Sequence, residues 1–261
     1  MSIHQTYFSD VSCLGKIRLS GASAPEFVKV MTTVEPSSVE TPGKAARALI
    51  LNAEGCIIDL VTLSRTGELE YMLVSSSETV DELTEWLQAH AQLTTIEGAP
   101  VFRDIQVENT TSRIATFALH GPHALAILGE LCAADLAAEL GGRQSALITI
   151  GQLQVLLLRW SFLCASDQCI TPAAKGGQGE VFEVYLPAQA AEDFKQILFG
   201  FEEIDQESFE EYVSRRYKAH TWFASAEQAA YSRPETAGLT ALLRVSSDFV
   251  GARALGLPKP Q

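Results

Sequence analysis

Residues 48–63 read ALILNAEGCIIDLVTL, two apolar runs joined by the polar turn AEG at 53–55. Each run has the length and apolar content of a buried strand, and a short turn with polar residues and glycine reverses the chain. The stretch therefore predicts an antiparallel hairpin with strands at Ala48–Asn52 and Cys56–Leu63. Asp59 lies inside the second strand, where burial of a carboxylate is unfavourable unless it has a hydrogen-bond partner or a chemical task.

Strand and helix patterns alternate after this hairpin. Glu70–Val74 predicts a strand, and Ser77 predicts the N-cap of a helix that runs to Ala89 with apolar side chains at helical spacing. The same order returns later in the chain, where the strand pattern VFEVYL at Val181–Leu186 precedes the helical pattern AQAAEDFKQIL. The chain therefore contains two strand–helix units of the same kind, which is typical of an α+β protein.

Two glycines lie at equivalent positions between a predicted strand and a predicted helix. Gly21 and Gly121, 100 residues apart, each follow a predicted strand and precede a predicted helix. We therefore predict an α+β fold of two similar halves, residues 1–110 and 111–261, each with an antiparallel sheet and flanking helices. A chance likeness between two common strand–turn–helix units is the alternative explanation. The second half is also predicted to contain a strand at Leu239–Val245, which begins at the end of a Pro-x-x-Ala-Gly-Leu segment.

The composition is that of a globular protein with an acidic surface. The 261 residues carry 32 acidic and 19 basic side chains, a net charge of −13, which opposes binding to nucleic acid and to anionic membranes. No apolar run is long enough to span a membrane, and the N-terminus lacks the basic and apolar regions of a signal peptide. The five cysteines show no framework spacing and predict reduced thiols in the cytoplasm. The acidic run Glu202–Glu211 predicts a solvated surface.

Several stretches, in their order along the chain, carry a family resemblance. They are FVKVMTT at 27–33, LNAEGCIIDL at 51–60, ALHGPHALAIL at 118–128, GEVFEVYLP at 179–187 and PETAGLTALLRVSSDFVGARAL at 234–255. Each is weak alone, but the ordered set resembles the folate-binding core of the aminomethyltransferase (glycine cleavage T-protein) family over nearly the whole chain. The resemblance implies that family's α+β core without the further C-terminal domain of its full-length members.

The resemblance also implies a set of site residues. Glu183 corresponds to the family's pterin-binding glutamate, and a carboxylate can accept a pair of pterin N–H groups; the alternative is a solvent-facing strand glutamate. Asp59 corresponds to the first of two adjacent aspartates and would position or deprotonate the folate nitrogen, while Leu60 stands where the second aspartate is expected. Arg216 would pair with a folate carboxylate or the substrate, and its alternative is a surface helix arginine. Ser75 stands at a cofactor-binding position where the family has asparagine.

These residues predict a tetrahydrofolate-binding protein that transfers an aminomethyl or methyl group from a small-molecule donor. One alternative is a non-catalytic folate-binding module or subunit, completed by a partner protein or by another copy of the chain; Leu60 and Ser75 favour it. Another is an assembly factor that keeps the fold without folate. No metal site is predicted, because His120 and His123 have no cysteine, aspartate or glutamate at ligand spacing.

Overall fold

The structure is a computed structural model that describes residues 6–132, 135–136, 140, 145–161, 180–212, 232–244 and 248–257. The chain divides into two compact units. The first unit is built from the described parts of Met1–Cys13 and Thr111–Thr221, and the second unit from those of Leu14–Thr110 and Trp222–Gln261. Each unit therefore combines residues from two separate parts of the chain. The division into domains at residues 1–110 and 111–261 remains a prediction.

The described elements are strands and short helices in alternation. The strands are β1 (Thr6–Asp10), β2 (Gly15–Ser20), β3 (Ala45–Leu51), β4 (Ile57–Gly67), β5 (Glu70–Ser75), β6 (Gln106–Asn109), β7 (Ile114–His120), β8 (Ser145–Ile150), β9 (Leu153–Ser161), β10 (Glu180–Pro187) and β11 (Ile204–Gln206). The α-helices are α1 (Ala24–Met31), α2 (Val80–Ala91), α3 (Ala124–Cys132) and α4 (Ala191–Leu198). None of the helices in the described ranges is both long and apolar enough to cross a membrane.

The first unit contains a sheet with the strand order β11-β1-β7-β10-β9-β8. β7 and β10 pair antiparallel near its centre, and their side chains alternate between the two faces. On one face Phe117, Phe182 and Val184 pack into an apolar core with Ile127 of α3 and Phe194 of α4. The polar residues of β7 and β10 therefore lie on the opposite face of the sheet.

The second unit contains a sheet with the strand order β3-β4-β5-β2-β6. Its strand β4 separates two apolar clusters. Val61 packs with Phe27 of α1 and Leu83 of α2 on one face. Leu60 packs on the other face, against a cluster that includes Phe249 of the C-terminal segment. Neighbouring positions of this strand therefore face different surroundings, as the pleat of a strand requires.

The structure confirms the predicted α+β fold with flanking helices, although β1 and β11 pair in parallel. The predicted hairpin is confirmed as β3 and β4, which pair antiparallel. The helix predicted to run to Ala89 is α2, but the N-cap predicted at Ser77 is wrong, because Thr79 is the N-cap residue. The strand predicted at Leu239–Val245 is wrong, because a 3-10 helix occupies Thr240–Leu242. Leu239 is buried in the cluster around Leu60, so its apolar character serves packing on a sheet face rather than pairing at a sheet edge.

Candidate functional site

A buried glutamate lies near the centre of the sheet in the first unit. Glu183 on β10 stands between Ala118 of β7 and Leu158 of β9, and its exposed fraction is 0%. Its neighbours Phe182 and Val184 belong to the apolar core, so strand alternation turns Glu183 to the opposite face. The alternative of a solvent-facing glutamate is therefore wrong. A carboxylate in this position needs hydrogen bonds to compensate for the water that it has lost.

Two tyrosine hydroxyls supply such hydrogen bonds. Tyr185 donates to one carboxylate oxygen of Glu183 at 2.5 Å, and Tyr212 donates to the other at 2.9 Å. Both tyrosines are buried as well. Because the two tyrosines bond different oxygens, together they fix the orientation of the carboxylate.

The same face of the sheet holds a buried hydroxyl without a partner. Thr116 of β7 lies opposite Tyr185 of β10 and is buried. Its Oγ1 has no hydrogen-bond partner within the described part of the chain. Because nearly all buried polar atoms in folded proteins are bonded, such an atom indicates a position where water or a ligand group completes the bonding.

A histidine–glutamate pair extends this polar face. His120 Nε2 lies 2.6 Å from Glu207 Oε2, and both side chains are almost fully buried. The Tyr7 ring stacks on His120 with the ring centroids 5.6 Å apart, and the Tyr212 ring lies 6.3 Å from it. Tyr212 is therefore a neighbour of both the histidine–glutamate pair and the Glu183 carboxylate.

Glu207 corrects the prediction that the acidic run Glu202–Glu211 is a solvated surface. Its side chain is only 3% exposed, and its backbone N–H donates to the carbonyl oxygen of Phe8 in β1. The other acidic residues of the run are exposed. One residue of the run therefore belongs to the buried face, because the chain continues from β11 alongside β1.

Asp59 lies in the second unit, where it ties β4 to the start of α2. Its Oδ1 accepts the backbone N–H of Leu60 at 2.7 Å. Its Oδ2 accepts the backbone N–H of Ser76 at 3.0 Å and the hydroxyl of Thr79 at 2.6 Å. Because Thr79 is the N-cap residue of α2, these bonds fix the loop that leads into the helix.

Burial changes the acidity of Asp59. Desolvation raises the pKa of Asp59 from its ordinary value of 3.8 to about 6, and the hydrogen bonds from Thr79, Ser76 and Leu60 act in the opposite direction. A carboxyl group with a pKa in this range exchanges its proton near neutral pH, which a general acid or base requires. The same group also serves the structure, because it accepts hydrogen bonds from Leu60 in β4 and from Ser76 and Thr79 before α2.

The raised pKa predicts a pH-dependent stability. Because the folded state holds the Asp59 proton more tightly, its contribution to stability is full below about pH 4 and is lost as the pH rises through 6. The difference between 3.8 and 6 corresponds to about 3 kcal/mol in the free energy of unfolding. Urea unfolding at pH 4, 5, 6 and 7 should show this slope in the wild type, and Asp59→Asn should lack it. Equal slopes for both proteins would contradict the assignment.

Ser75 lies at the end of β5, beside the loop that Asp59 holds. Its Oγ donates to the carbonyl oxygen of Ser76 at 3.3 Å. Gly15 of β2 pairs with Ser75, and a Cβ at Gly15 would lie 2.1 Å from the Ser75 Oγ. Glycine is therefore required for this close approach, which brings Ser75 and Asp59 to one end of the sheet. Arg216 lies outside the described residues.

No group of three or more histidine, cysteine, aspartate or glutamate side chains in the described ranges could hold a metal ion. The buried carboxylates Glu183 and Asp59 each lie in a cluster of polar groups. One surrounds Glu183 in the first unit, and the other surrounds Asp59 in the second unit.

The chain is similar to known proteins over much of its length. Residues 4–167 match the GCVT N-terminal domain family. The aminomethyltransferase of Bacillus subtilis is 31% identical over 129 residues, which are 49% of this chain and 33% of that protein. The aminomethyltransferase of Staphylococcus epidermidis is 28% identical over 127 residues, 49% of this chain and 32% of that protein. The chain thus matches about a third of the length of these curated relatives.

A solved structure shares the fold. The crystal structure of glycine cleavage system aminomethyltransferase T from Bartonella henselae superimposes with a TM-score of 0.72 and covers 96% of this chain and 62% of that chain. At 20% sequence identity this likeness shows the fold alone. It confirms the α+β architecture that the resemblance in the sequence implies.

Proposed function

The chain belongs to the GCVT N-terminal domain family, and on that premise we propose that it binds tetrahydrofolate and transfers a one-carbon group onto it from a small-molecule donor. The group would be a methyl carbon or the methylene carbon of an aminomethyl group. Similarity to the two bacterial aminomethyltransferases supports this class of reaction. The observation that carries the proposal is the fully buried Glu183 carboxylate, oriented by two tyrosine hydroxyls.

The polar groups around Glu183 fit a pterin ring. One edge of a pterin presents a ring N–H and an amino group, and a carboxylate accepts such a pair in a bidentate arrangement. The unpartnered hydroxyl of Thr116 on the same face would bond a further polar atom of the ligand. We therefore propose Glu183 as the residue that holds the pterin, with Tyr185 and Tyr212 keeping its carboxylate in position.

Asp59 is the residue that we propose for proton transfer. Bound tetrahydrofolate would supply the ring nitrogen that accepts the one-carbon group. A pKa of about 6 would allow Asp59 to take or release a proton at neutral pH. Ser75 and Arg216 are proposed as further cofactor contacts, Ser75 through its hydroxyl and Arg216 through its charge to a folate carboxylate.

The hydrogen bonds of Asp59 also favour a second candidate function. Its two oxygens accept three bonds that hold the β4–α2 connection, and Leu60 beside it belongs to an apolar cluster. In this alternative the chain is a folate-binding module without catalysis of its own. The groups needed for transfer would then come from a partner subunit or from a second copy of the chain.

We propose that the protein works in the cytoplasm. Within the described ranges Cys56 and Cys132 are free thiols, which fits a reducing compartment. The net charge of −13 fits a small-molecule donor better than nucleic acid or an anionic membrane as the binding partner.

A transfer assay separates the enzyme from the module. The purified chain is incubated with tetrahydrofolate and candidate methylamines or methyl ethers, and the folate products are separated by chromatography. An enzyme should form methyl- or methylene-tetrahydrofolate only when a donor is present, whereas reactions without donor or without protein serve as controls. Tight folate binding with no transfer from any donor would contradict the enzyme and support the module.

A further inference from the structure

A small pocket in the second unit lies beside α1, apart from the loop that Asp59 holds. It has a volume of about 190 Å³, is partly open to solvent, and is lined by residues of α1, β4, β5 and the 3-10 helix Pro36–Val39. Val28, Val34 and Val39 form much of its wall, and all three are almost fully buried. The pocket is therefore of limited size, with apolar valine and proline side chains beside charged and polar ones.

Tyr71 of β5 is one of the residues that line this pocket. The residue is 2% exposed, and its Oη makes no hydrogen bond to any of the described residues. Burial raises the pKa of Tyr71, while the positive charge of Arg65 acts in the opposite direction. The hydroxyl therefore stays protonated at neutral pH and is available to donate a hydrogen bond.

Arg65 gives the same pocket a positive charge. Its guanidinium carbon lies 5.5 Å from the centre of the Tyr71 ring, and its nitrogens donate to the carbonyl oxygens of Gly67, Glu40 and Glu68. These bonds account for three of the five N–H groups of an arginine. The Arg65 side chain is 13% exposed, and its ion-pair partner Glu68 is 3.8 Å away and 85% exposed. The partner therefore compensates the charge only weakly.

Two other charged residues, Lys29 and Glu40, line the pocket. Lys29 is paired with Asp248 at 2.5 Å, so its charge is already matched. Glu40 lies at the rim with an exposed side chain, and its carbonyl oxygen is the atom that bonds Arg65. The pocket thus combines valine side chains with the Arg65 guanidinium and the Tyr71 hydroxyl, beside the ion-paired Lys29 and the exposed Glu40.

We propose that this pocket binds a small aromatic monocarboxylate of about the size of benzoate. The ring would lie among the valine side chains, and the carboxylate would accept hydrogen bonds from Arg65 and Tyr71. An apolar cavity of about 150 Å³ is large enough for a benzene ring, so a pocket of about 190 Å³ leaves room for the carboxylate. The inference does not depend on folate binding.

A nuclear magnetic resonance titration of the full chain with benzoate and with benzamide tests the proposal. The two compounds have nearly the same size and shape, but only benzoate carries a negative charge. We expect benzoate to bind about tenfold more tightly, because an arginine–carboxylate bond is stronger than a bond between neutral groups. The largest shifts should lie in α1, in Pro36–Val39 and around Tyr71. Equal affinities, shifts elsewhere, or no binding of benzoate at millimolar concentration would overturn the proposal.

Three variants complete the test. Tyr71→Phe keeps the ring and removes the hydroxyl, and should weaken benzoate binding about threefold to tenfold. Val39→Phe should fill the pocket and abolish binding of both compounds. Tyr185→Phe, in the first unit, should leave benzoate affinity unchanged even where it alters folate binding. Wild-type benzoate affinity in Tyr71→Phe and Val39→Phe would also overturn the proposal, and the benzoate-to-benzamide ratio of the wild type remains decisive if either variant fails to fold.

Discussion

Replacing Glu183 by glutamine is expected to remove most of the stabilisation that tetrahydrofolate gives to the protein. A ligand that binds only the folded state raises the free energy of unfolding by about 2.7 kcal/mol at ~100 times its Kd. Glutamine offers a single acceptor oxygen, and its NH₂ group would face the N–H donors of the pterin. A mispaired buried bond of this kind costs about 1–3 kcal/mol, so folate affinity should fall about 10- to 100-fold.

The melting temperatures of wild type and Glu183→Gln, each with and without tetrahydrofolate, measure this effect. The variant without ligand should already be less stable, because Tyr185 or Tyr212 loses a carboxylate acceptor. The difference between the temperatures with and without ligand is therefore the quantity to compare. Glu192→Gln on α4 is the matched control, since Glu192 is exposed in the same unit. If tetrahydrofolate raises the melting temperature of Glu183→Gln as much as that of the wild type, Glu183 does not bind the ligand.

Replacing Asp59 by asparagine is expected to abolish one-carbon transfer and to change folate affinity little. The substitution keeps the size of the side chain and removes its charge and basicity, which matter most in the transition state. General acid–base groups contribute about 10²- to 10⁴-fold to a rate, so residual transfer should be slower by a factor in this range. Product formation by the wild type and by Asp59→Asn, measured by chromatography at the same folate saturation, provides the comparison.

Asparagine at position 59 would also disturb the loop, so a structural control is needed. Asp59 accepts bonds from Leu60, Ser76 and Thr79, and an amide NH₂ would oppose one of these donors at a cost of about 1–3 kcal/mol in stability. Thr79→Ala removes the 2.6 Å bond and keeps the carboxylate. If Asp59 is catalytic, Thr79→Ala should lose stability but retain transfer. Full activity in Asp59→Asn would show that Asp59 serves the fold alone.

Local sequence patterns are sufficient to predict the strands that carry both carboxylates. The two apolar runs at 48–63 predict the β3–β4 hairpin, and the VFEVYL pattern predicts β10. Alternation also separates Glu183 from Phe182 and Val184, which the structure confirms by burying it on the opposite face. Tyr185 was not predicted, although the same alternation offers it, because residues two apart in a strand share a face.

The remaining partners of the carboxylates could not be predicted, because tertiary contacts bring them from distant parts of the chain. Tyr212 is 29 residues from Glu183, and Glu207 is 87 residues from His120. Charge patterning predicts that the whole acidic run, including Glu207, lies at the surface. The other acidic residues of the run are exposed, but Glu207 is buried. A run of acidic residues carries no information about which one turns inward.

The wrong strand at Leu239–Val245 has a related cause. Its leucines have the composition of a short strand, but periodicity cannot distinguish a strand from an irregular segment packed on a sheet. In the structure Leu239 and Phe249 cover the face of β4 that carries Leu60. The apolar residues are therefore explained by burial, and the backbone makes a 3-10 helix at Thr240–Leu242.

Whether the chain holds folate through its pterin ring can be measured by isothermal titration of the purified protein. Tetrahydrofolate is compared with p-aminobenzoylglutamate, the part of the molecule that lacks the pterin. The buried Glu183 carboxylate and its two tyrosine donors predict saturable binding of tetrahydrofolate and much weaker binding of the fragment. Equal binding of the two compounds, or no heat of binding for tetrahydrofolate at millimolar concentration, would contradict a pterin site at Glu183.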